Sequence, residues 1–573
     1  MRACSSCGEQ IWPEDRYCGW CGLLLKTAPQ ASQGPPAQPP PPPSTGQTAS
    51  PAPPAATAHE VSPAGLLSDV VDFLTPGPSP QPTPQPTPQP TPQPTYTEAA
   101  LYVVPEAHAP QLLTLLRQDA FDHRIEVLVV SPHSALEQVQ ERLRRAEARG
   151  ESPDAICLIG DDAQIPHVRF DDDTGNDDHL LTDNPYGQTN ALSEAERYSG
   201  GIVDMLPVSR IPTVDSALVA RLLSVGDQLD PSWESGVAVT AESWTRASRS
   251  VLDAIQGHQH VELHDVPPLS ADEVGRLFRA QPGRVYFNVH GSDRTPDWFG
   301  DDGCGSAPRA LRARSVDVRE HAIAMSESCY GALIKSADEA MSMAFLKQGA
   351  DAFVGSTIIA WGPASPPCSL ADLVVQETYQ ALDDGLGLAA ALLRARVVIA
   401  DGYLSRSEAL PPNALNTVAS FVAYGAPMAR VRGATPSAKS FRPPTAAPRG
   451  DSARKSSSGG GVLDAVRQGM RQGNTGQLGA ARQRYRNRLP PGAWKAFSRG
   501  RMTFGQLRQL VDEPDLLQAR LAHLAGGAVS DAHVFQYASS KRFRAFVSVK
   551  NGDRCASVLL DDTGSEVEAW VSR

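Results

Sequence analysis

The pattern of apolar and polar residues after residue 98 alternates between two periods. Short apolar, β-branched runs occur at 101–104, 125–130 and 155–160, and each has the length of a buried strand. Between them, residues 110–119 and 134–149 repeat apolar side chains three and four positions apart, as amphipathic helices do. Because parallel strands need long crossover connections, this strand–helix order predicts a parallel sheet with helices on both faces.

Four further apolar runs predict more strands of the same sheet. The globular pattern ends near 421–432, so residues 98–433 are assigned to one α/β domain with a mostly parallel sheet flanked by helices. The four runs are VAVTA at 237–241, VYFNV at 285–289, AIAMS at 322–326 and AFVGS at 352–356.

The region after this domain changes in composition twice. Residues 434–461 are rich in Ser, Pro, Ala and Gly, which predicts a flexible linker. Residues 462–526 carry a helical pattern. Residues 534–573 alternate apolar with polar positions, which predicts a small antiparallel sheet with a hairpin turn at Asn551-Gly552. We interpret 462–573 as a small helical plus β domain.

The N-terminal 26 residues contain two CxxC pairs, Cys4 with Cys7 and Cys18 with Cys21. Four thiolates at this spacing, each pair followed by glycine, predict a closed tetrahedral Zn²⁺ site, so we expect a zinc ribbon. Two disulfides or two redox pairs are the alternatives. A closed site is structural, and the ribbon is therefore expected to dock a protein partner or an activating protease.

A proline-rich stretch over residues 27–97, with a QPTP repeat, separates the ribbon from the α/β domain. Repeats of this kind form extended polyproline II segments without internal hydrogen bonds. We therefore expect a disordered, semi-rigid spacer.

Charge and cysteine usage exclude some classes of protein. The formal net charge of −12 argues against a nucleic-acid binder, although residues 439–508 are basic. The five cysteines outside the N-terminal pairs have no disulfide-framework spacing. The sequence shows no apolar run of the ~18 residues that a membrane span needs. We expect a cytoplasmic protein with no membrane association.

Two reactive side chains follow two of the predicted strands. The strand ending at 289 is followed by His290-Gly291, and the strand ending at 326 is followed three residues later by Cys329. Because reactive groups collect beyond the carboxyl ends of parallel strands, we expect His290 and Cys329 to lie close together. A thiolate can attack a carbonyl carbon while an imidazole transfers protons, and the amides of Gly291 and Cys329 can hold the developing oxyanion.

Short motifs around these residues occur in a fixed order within 98–433. They are Gly160-Asp161-Asp162-Ala163-Gln164-Ile165-Pro166, Asp183-Asn184-Pro185-Tyr186-Gly187, Val208-Ser209-Arg210-Ile211-Pro212, His290-Gly291-Ser292 and Tyr424-Gly425-Ala426-Pro427. Together with Cys329 after its strand, they resemble the gingipain branch of the caspase-like clan of cysteine peptidases. The resemblance implies a caspase-like fold and a cysteine endopeptidase with Cys329 as nucleophile and His290 as its catalytic partner.

The resembled family also has an acidic residue that orients the catalytic His. Glu242, directly after the strand at 237–241, is the matching position, and a solvated loop charge is the alternative. The family's aspartate that binds a basic P1 side chain has no counterpart, since Ala247 and Ser248 stand at the nearest match.

Other acidic residues could supply a negative pocket for the substrate. Asp293, Asp297 and Trp298 follow His290 and are the tentative substrate-binding residues, with Asp301 and Asp302 close behind them. Their charge favours Arg or Lys at P1.

Two further groups of residues are candidates for metal sites. Residues 170–178 alternate oxygen-bearing side chains around Gly175, as Ca²⁺ loops do, but lack the closing Glu, so a solvated acidic loop is the alternative. His258, His260 and His264 lack a suitable partner and are interpreted as a surface strand and loop.

These features combine into one hypothesis and two alternatives. The hypothesis is a bacterial cysteine endopeptidase, held as a zymogen, activated by proteolysis and acting in a stress, cell-death or antiphage defence pathway. The region after 433 would mask its active site. The first alternative is a catalytically inactive adaptor that binds partners through the ribbon and the basic C-terminal region. The second is a nucleic-acid-linked regulator, which the net charge disfavours.

Overall fold

A computed structural model describes residues 98–434 and 497–573, and two short strands near the N-terminus, Arg2–Ala3 and Gln10–Ile11, which pair antiparallel. The described residues from 98 onward belong to one compact unit. The proposed zinc ligands and the stretches 27–97 and 435–496 lie outside the described residues. Short gaps within the described ranges fall at 119–120, 257–260, 305, 337–338, 364–365, 406–408, 512, 538–542 and 562.

The strands from 98 to 434 match most of the predicted apolar runs. They are β1 (Ala99–Pro105), β2 (Arg124–Val130), β3 (Ala155–Ile159), β4 (Val168–Asp171), β5 (His179–Thr182), β6 (Val208–Ile211), β7 (Val237–Ala241), β8 (Leu263–Val266), β9 (Arg284–Asn288), β10 (Trp298–Phe299), β11 (Arg309–Leu311), β12 (Ala322–Ser326), β13 (Ala350–Ser356), β14 (Trp361–Pro363) and β15 (Phe421–Tyr424). The later strands are β16 (Phe497–Thr503), β17 (Asp531–Tyr537), β18 (Phe543–Asn551), β19 (Arg554–Asp561) and β20 (Glu566–Ser572).

The helices include both of those predicted between the first three strands. They are α1 (Ala109–Gln118), α2 (Ala135–Arg149), α3 (Glu194–Tyr198), α4 (Ser216–Leu223), α5 (Thr245–Gln256), α6 (Ala271–Leu277), α7 (Met341–Lys347), α8 (Ala371–Asp383), α9 (Leu388–Leu404), α10 (Pro412–Ser420) and α11 (Pro514–Leu524). No helix among the described residues is both long enough and apolar enough to cross a membrane.

The central sheet has ten strands in the order β8-β7-β9-β12-β13-β15-β6-β3-β1-β2. All neighbours are parallel except β13 and β15, which pair antiparallel. The sheet is therefore two parallel halves that run in opposite directions, with their carboxyl ends at opposite edges. A mixed α/β fold with a large, mostly parallel sheet is confirmed. The reversal was not predicted, because an apolar pattern carries no information on strand direction.

Two apolar cores lie on the two faces of this sheet. In β1, Leu101 and Val103 pack into one core, while Tyr102 and Val104 pack into the other. Side chains of α2, α8 and α9 belong to the first core, and those of α1, α4 and α6 belong to the second. Because both faces are covered, strands such as β9 are buried at every position and are apolar along most of their length.

A second sheet joins the C-terminal region to the first domain. Its six antiparallel strands have the order β14-β20-β19-β18-β17-β16, and β14 comes from the first domain. The predicted sheet and its turn after Asn551 are present, and Gly552 has a φ of +60°. One expectation is wrong: residues 497–503 form β16 within the stretch expected to be helical, because pairing with β17 satisfies their backbone groups.

Four of the five sequence motifs meet at one buried arginine, Arg210. The fifth is the motif that begins at His290. Arg210 donates through Nε and Nη2 to the Asp183 carboxylate at 2.9 and 2.6 Å, and through Nη1 to the carbonyl oxygens of Gly160 and Ile165 at 2.7 and 2.8 Å. The Arg210 carbonyl oxygen accepts from Gly425 N–H at 2.8 Å. Burial is the largest single influence on the pKa of Asp183 and acts to raise it, but the Arg210 charge, its hydrogen bonds and the other nearby positive charges together lower the pKa.

Replacing Arg210 should therefore destabilise the domain strongly. Arg210→Met leaves the Asp183 carboxylate buried without its partner, and removal of one member of a buried ion pair costs roughly 3–5 kcal/mol. Urea unfolding followed by circular dichroism measures the change. Arg169→Met is the control, because its pair with Asp162 is half-exposed, and should cost less than about 1 kcal/mol. Equal losses in the two variants would contradict the assignment.

Candidate active site

The carboxyl ends of two neighbouring strands bring the candidate nucleophile and base together. β9 and β12 are parallel, with Phe287 opposite Ser326, so His290 and Cys329 follow at the same edge of the sheet. Both line one cleft of about 1000 Å³. A Cβ on Gly291 would lie 1.7 Å from the Cys329 carbonyl oxygen, so the glycine permits the close approach of the two chain segments.

Three contacts position His290, two through its ring and one through its backbone. Nε2 lies 3.1 Å from Asp301 Oδ2, the ring meets Trp244 edge-on at a centroid distance of 4.5 Å, and the His290 backbone pairs with Phe299. Burial lowers the pKa of His290, while the Asp301 carboxylate acts to raise it. A neutral ring that donates from Nε2 to Asp301 keeps Nδ1 as the nitrogen that can accept a proton.

The carboxylate beside His290 is Asp301, and the expectation for Glu242 is therefore corrected. Glu242 is exposed at the start of a short 3₁₀ turn after β7, and Trp244 two residues later is the side chain of that turn that faces His290. Asp301 lies in the segment after β10, and the pairing of Phe299 with His290 brings this segment back to the ring. Asp301 also accepts from Arg554 at 2.9 Å.

Cys329 lies in a tight, enclosed turn. Its side chain is 4% exposed, Ala360 N–H donates to Sγ at 3.3 Å, and burial raises the pKa of the thiol to about 12. Its own N–H donates to the Arg573 carbonyl oxygen at 3.0 Å. Tyr330, the next residue, has a φ of +55°, a strained value for a residue with a side chain. The nucleophile candidate therefore presents its backbone N–H to a carbonyl group.

The acidic loop at 170–178 braces this turn. Tyr330 Oη donates to Asp177 Oδ1 at 2.5 Å, and Ile359 N–H donates to Asp177 Oδ2 at 3.1 Å. The Asp172 carboxylate accepts from backbone N–H groups of its own loop, including that of Thr174 at 2.9 Å. The loop therefore links the turn after Cys329 to the rest of the domain, a role that its composition did not indicate.

The expected metals find no further support in the described part of the chain. Within it, no group of three His, Cys, Asp or Glu side chains is placed to hold a metal ion. His258 and His260 fall in an undescribed gap, and His264 lies on β8. Ca²⁺ at the acidic loop and Zn²⁺ at the N-terminal cysteines stay predictions.

Beside Cys329, a slot encloses the whole side chain of Arg573. Nη2 donates to the Pro363 carbonyl oxygen at 2.8 Å and lies 3.2 Å from Asp372 Oδ1. The guanidinium carbon lies 4.4 Å from the centroid of the Trp244 ring. A Cβ on Gly362 would lie 2.1 Å from Arg573 Nε. The slot therefore combines an aromatic face, bare backbone and a carboxylate, which suit a flat cation.

Two carboxyl groups meet at the end of the slot. Burial and the Asp372 charge raise the pKa of Glu327 well above its usual range, and Tyr286 Oη donates to Glu327 Oε1 at 2.8 Å. Burial also raises the pKa of Asp372, against the lowering effect of Arg573 and of a hydrogen bond from Glu327. Asp372 is the carboxyl group that contacts the guanidinium, while burial and the neighbouring charge favour the protonated form of Glu327.

The residues expected to bind substrate line the cleft but lie outside the slot. Asp297 Oδ2 pairs with Arg309 Nε at 2.7 Å, and Asp293 Oδ2 lies 3.5 Å from Lys335 Nζ. Trp298 is 2% exposed. Among the described residues, the carboxylate against Arg573 is that of Asp372. Nearness to His290 in sequence does not place a side chain beside Arg573, and a substrate-binding role of Asp293 and Asp297 stays a prediction.

Comparisons with known proteins give only distant likenesses. No protein-family model matches the chain, and no curated protein matches it. The Arg-specific cysteine proteinase gingipain R is 13% identical with a TM-score of 0.43, over 58% of this chain and 78% of that one. A complex of Porphyromonas gingivalis RgpB pro- and mature domains is 12% identical with a TM-score of 0.43, over 58% and 80%. The Saccharomyces cerevisiae separase–securin complex is 14% identical with a TM-score of 0.27, over 39% and 14%.

Removing the Asp301 charge should lower the pKa of His290 further. The carboxylate favours the imidazolium, and a nearby opposite charge shifts a titration midpoint by roughly 1–3 pH units. NMR titration of ¹³C-labelled histidine in Asp301→Asn measures the shift. Glu242→Gln is the control and should leave the midpoint in place. A shift in the Glu242 variant alone would restore the original assignment.

Proposed function

We propose that residues 98–433 form a cysteine endopeptidase, with Cys329 as nucleophile, His290 as the proton-transfer group and Asp301 as the residue that positions His290. One observation carries the proposal: the backbone carbonyl oxygen of Arg573 lies 3.0 Å from the Cys329 amide nitrogen, in the cleft that His290 also lines. An amide donor beside a thiol is the arrangement that acyl transfer requires.

The reaction would proceed in two steps, acylation of Cys329 and hydrolysis of the resulting thioester. His290 takes the Cys329 proton, the sulfur attacks the P1 carbonyl carbon, and the Cys329 N–H holds the oxyanion. The C–N bond then breaks and the imidazolium gives its proton to the leaving amine. A water molecule, deprotonated by His290, next hydrolyses the thioester and restores the thiol.

The slot supports arginine as the favoured P1 residue. The Asp372 carboxylate can pair with one cation, and the flat space between Trp244 and Gly362 suits a guanidinium better than the rounded ammonium of lysine. This specificity does not depend on Asp293 or Asp297, which pair with Lys335 and Arg309.

The wider biology stays a set of predictions. Cytoplasmic location, activation of a zymogen by proteolysis, partner binding through a zinc ribbon, and a bacterial stress, cell-death or antiphage role have no support in the described residues beyond the contacts of the C-terminal sheet. A catalytically inactive adaptor is the second candidate, because the buried, protonated thiol of Cys329 would also suit a protein that only binds.

Loss of the thiol should abolish peptide hydrolysis. Cys329→Ala removes the only proposed nucleophile, so kcat/KM for fluorogenic arginyl peptides should fall roughly 10³-fold or more. Cys304→Ala is the control, since Cys304 is exposed, and should retain wild-type rates. Intact mass after incubation identifies any self-cleavage sites. Equal, low hydrolysis by all three proteins, with a folded chain and also after Arg573→Ala empties the cleft, would favour the adaptor.

Arginine selectivity should depend on Asp372. Asp372→Asn removes the carboxylate at 3.2 Å from the guanidinium, and loss of one partner of a buried charge pair costs roughly 2–5 kcal/mol, or about 30- to 5,000-fold in kcat/KM for arginyl peptides. Asp293→Asn is the matched control in the same cleft and should change kcat/KM less than about 3-fold. A larger loss in the Asp293 variant would move the pocket back to the loop after His290.

A further inference from the structure

The last strand of the C-terminal sheet, β20, reaches the cleft in an extended conformation. β20 pairs antiparallel with β14, with Ser572 opposite Trp361 and Trp570 opposite Pro363. Beyond β20, Arg573 N–H continues the ladder by donating to the Ala360 carbonyl oxygen at 3.0 Å. Addition of a strand to an exposed sheet edge is a common way for proteins to bind extended peptides.

The contacts of Arg573 fix the register of this strand. Its carbonyl oxygen accepts from Cys329 N–H, and its side chain fills the slot that ends at Asp372. We propose that residues 570–573 are an intramolecular, substrate-like ligand that occupies the cleft from P4 to P1 and keeps other peptides out. This inference rests on the proposed function for its P1 assignment, but it can be tested without any hydrolysis.

Side chains along the strand anchor it outside the slot. Trp570 is buried, and its indole N–H donates to Ser369 Oγ at 3.2 Å. Ser572 Oγ accepts from Cys555 N–H within the C-terminal sheet at 2.9 Å, so the strand is held on both of its edges. A peptide from solution would have to displace a segment that is fixed at several points.

Other parts of the C-terminal sheet support the same position. Asn176 Nδ2 donates to Ser548 Oγ at 2.9 Å, and Lys550 Nζ donates to the Asn176 carbonyl oxygen at 2.9 Å. The acidic loop that braces Tyr330 therefore also binds the sheet that delivers Arg573. Intramolecular attachment gives such a ligand an effective concentration on the order of millimolar, well above that of most free peptides.

A second arginine of the sheet acts on the catalytic histidine. Arg554 pairs with Asp301 at 2.9 Å and so competes with His290 for the same carboxylate. The charges of Arg554 and Arg573 both act to lower the pKa of His290. The ligand-bound form therefore holds a neutral imidazole next to a protonated thiol, the less reactive state of both groups.

Alkylation of Cys329 in the full chain tests the inference. Iodoacetamide reacts with thiolates, and mass mapping gives the rate at each cysteine. In the wild type, Cys329 should react at least ten times more slowly than exposed Cys304. In Arg573→Ala the Cys329 rate should rise at least tenfold, because loss of burial, the largest cause of its raised pKa, outweighs loss of the nearby positive charge. The Cys304 rate should not change.

Two controls make the result decisive. Arg501→Ala removes an exposed arginine of β16 in the same sheet and should leave the Cys329 rate at the wild-type value. The peptide acetyl-Trp-Val-Ser-Arg, added to Arg573→Ala at millimolar concentration, should slow Cys329 alkylation again, while acetyl-Trp-Val-Ser-Ala should not. Slowing by the arginyl peptide alone also shows that the variant is folded.

Each outcome decides between the two proposals. A Cys329 rate that is equally fast in wild type and Arg573→Ala, or that the arginyl peptide does not slow, overturns the intramolecular ligand. Faster alkylation of Cys329 in Arg573→Ala, slowed by the arginyl peptide but without hydrolysis of arginyl peptides, supports the intramolecular ligand and contradicts the proposed endopeptidase. Faster alkylation in Arg573→Ala together with hydrolysis of arginyl peptides supports both the intramolecular ligand and the endopeptidase.

Discussion

Burial of the Arg573 guanidinium is the constraint on which the cleft depends. A fully buried cation requires a carboxylate partner. Asp372 supplies this carboxylate, while burial and the Asp372 charge favour the protonated form of Glu327. Their positions follow from the fold, since Glu327 follows β12 and Asp372 lies in the first turn of α8. The order of β7, β9 and β12 places Trp244, His290 and Cys329 around the same cleft.

Sequence patterns predicted the elements of the fold better than their arrangement. Continuous apolar runs identified β1, β3, β7, β9 and β12, because strands buried on both faces need apolar side chains throughout. They could not reveal that β15 runs against β13, or that β14 serves as an edge strand of the C-terminal sheet. Both features depend on contacts between segments far apart in the chain, and neither changes the local pattern of side chains.

The candidate site divides in the same way. His290 and Cys329 were predictable, because each directly follows a strand and the two strands are neighbours. Glu242 met the same criterion, but the turn after β7 directs Trp244 toward His290 and leaves Glu242 exposed, and the carboxylate that contacts His290 is that of Asp301. Asp301 and Asp372 reach the cleft through a backbone pairing and a helix start. No sequence signal distinguishes these two aspartates from the other acidic residues nearby.

The two buried arginine–carboxylate pairs, Arg210 with Asp183 and Arg573 with Asp372, differ in how completely the arginine is hydrogen-bonded. Every nitrogen of the Arg210 guanidinium has a hydrogen-bond partner, so removal of this side chain would leave several groups unsatisfied. Arg573 differs, because within the described ranges its Nε and Nη1 have none. A partly satisfied cation is held less firmly, and an incoming arginine could make the same contacts and the same ladder with β14. The strand edge that completes the C-terminal sheet is therefore also the edge on which a substrate would bind, so the sheet and a substrate compete for one surface.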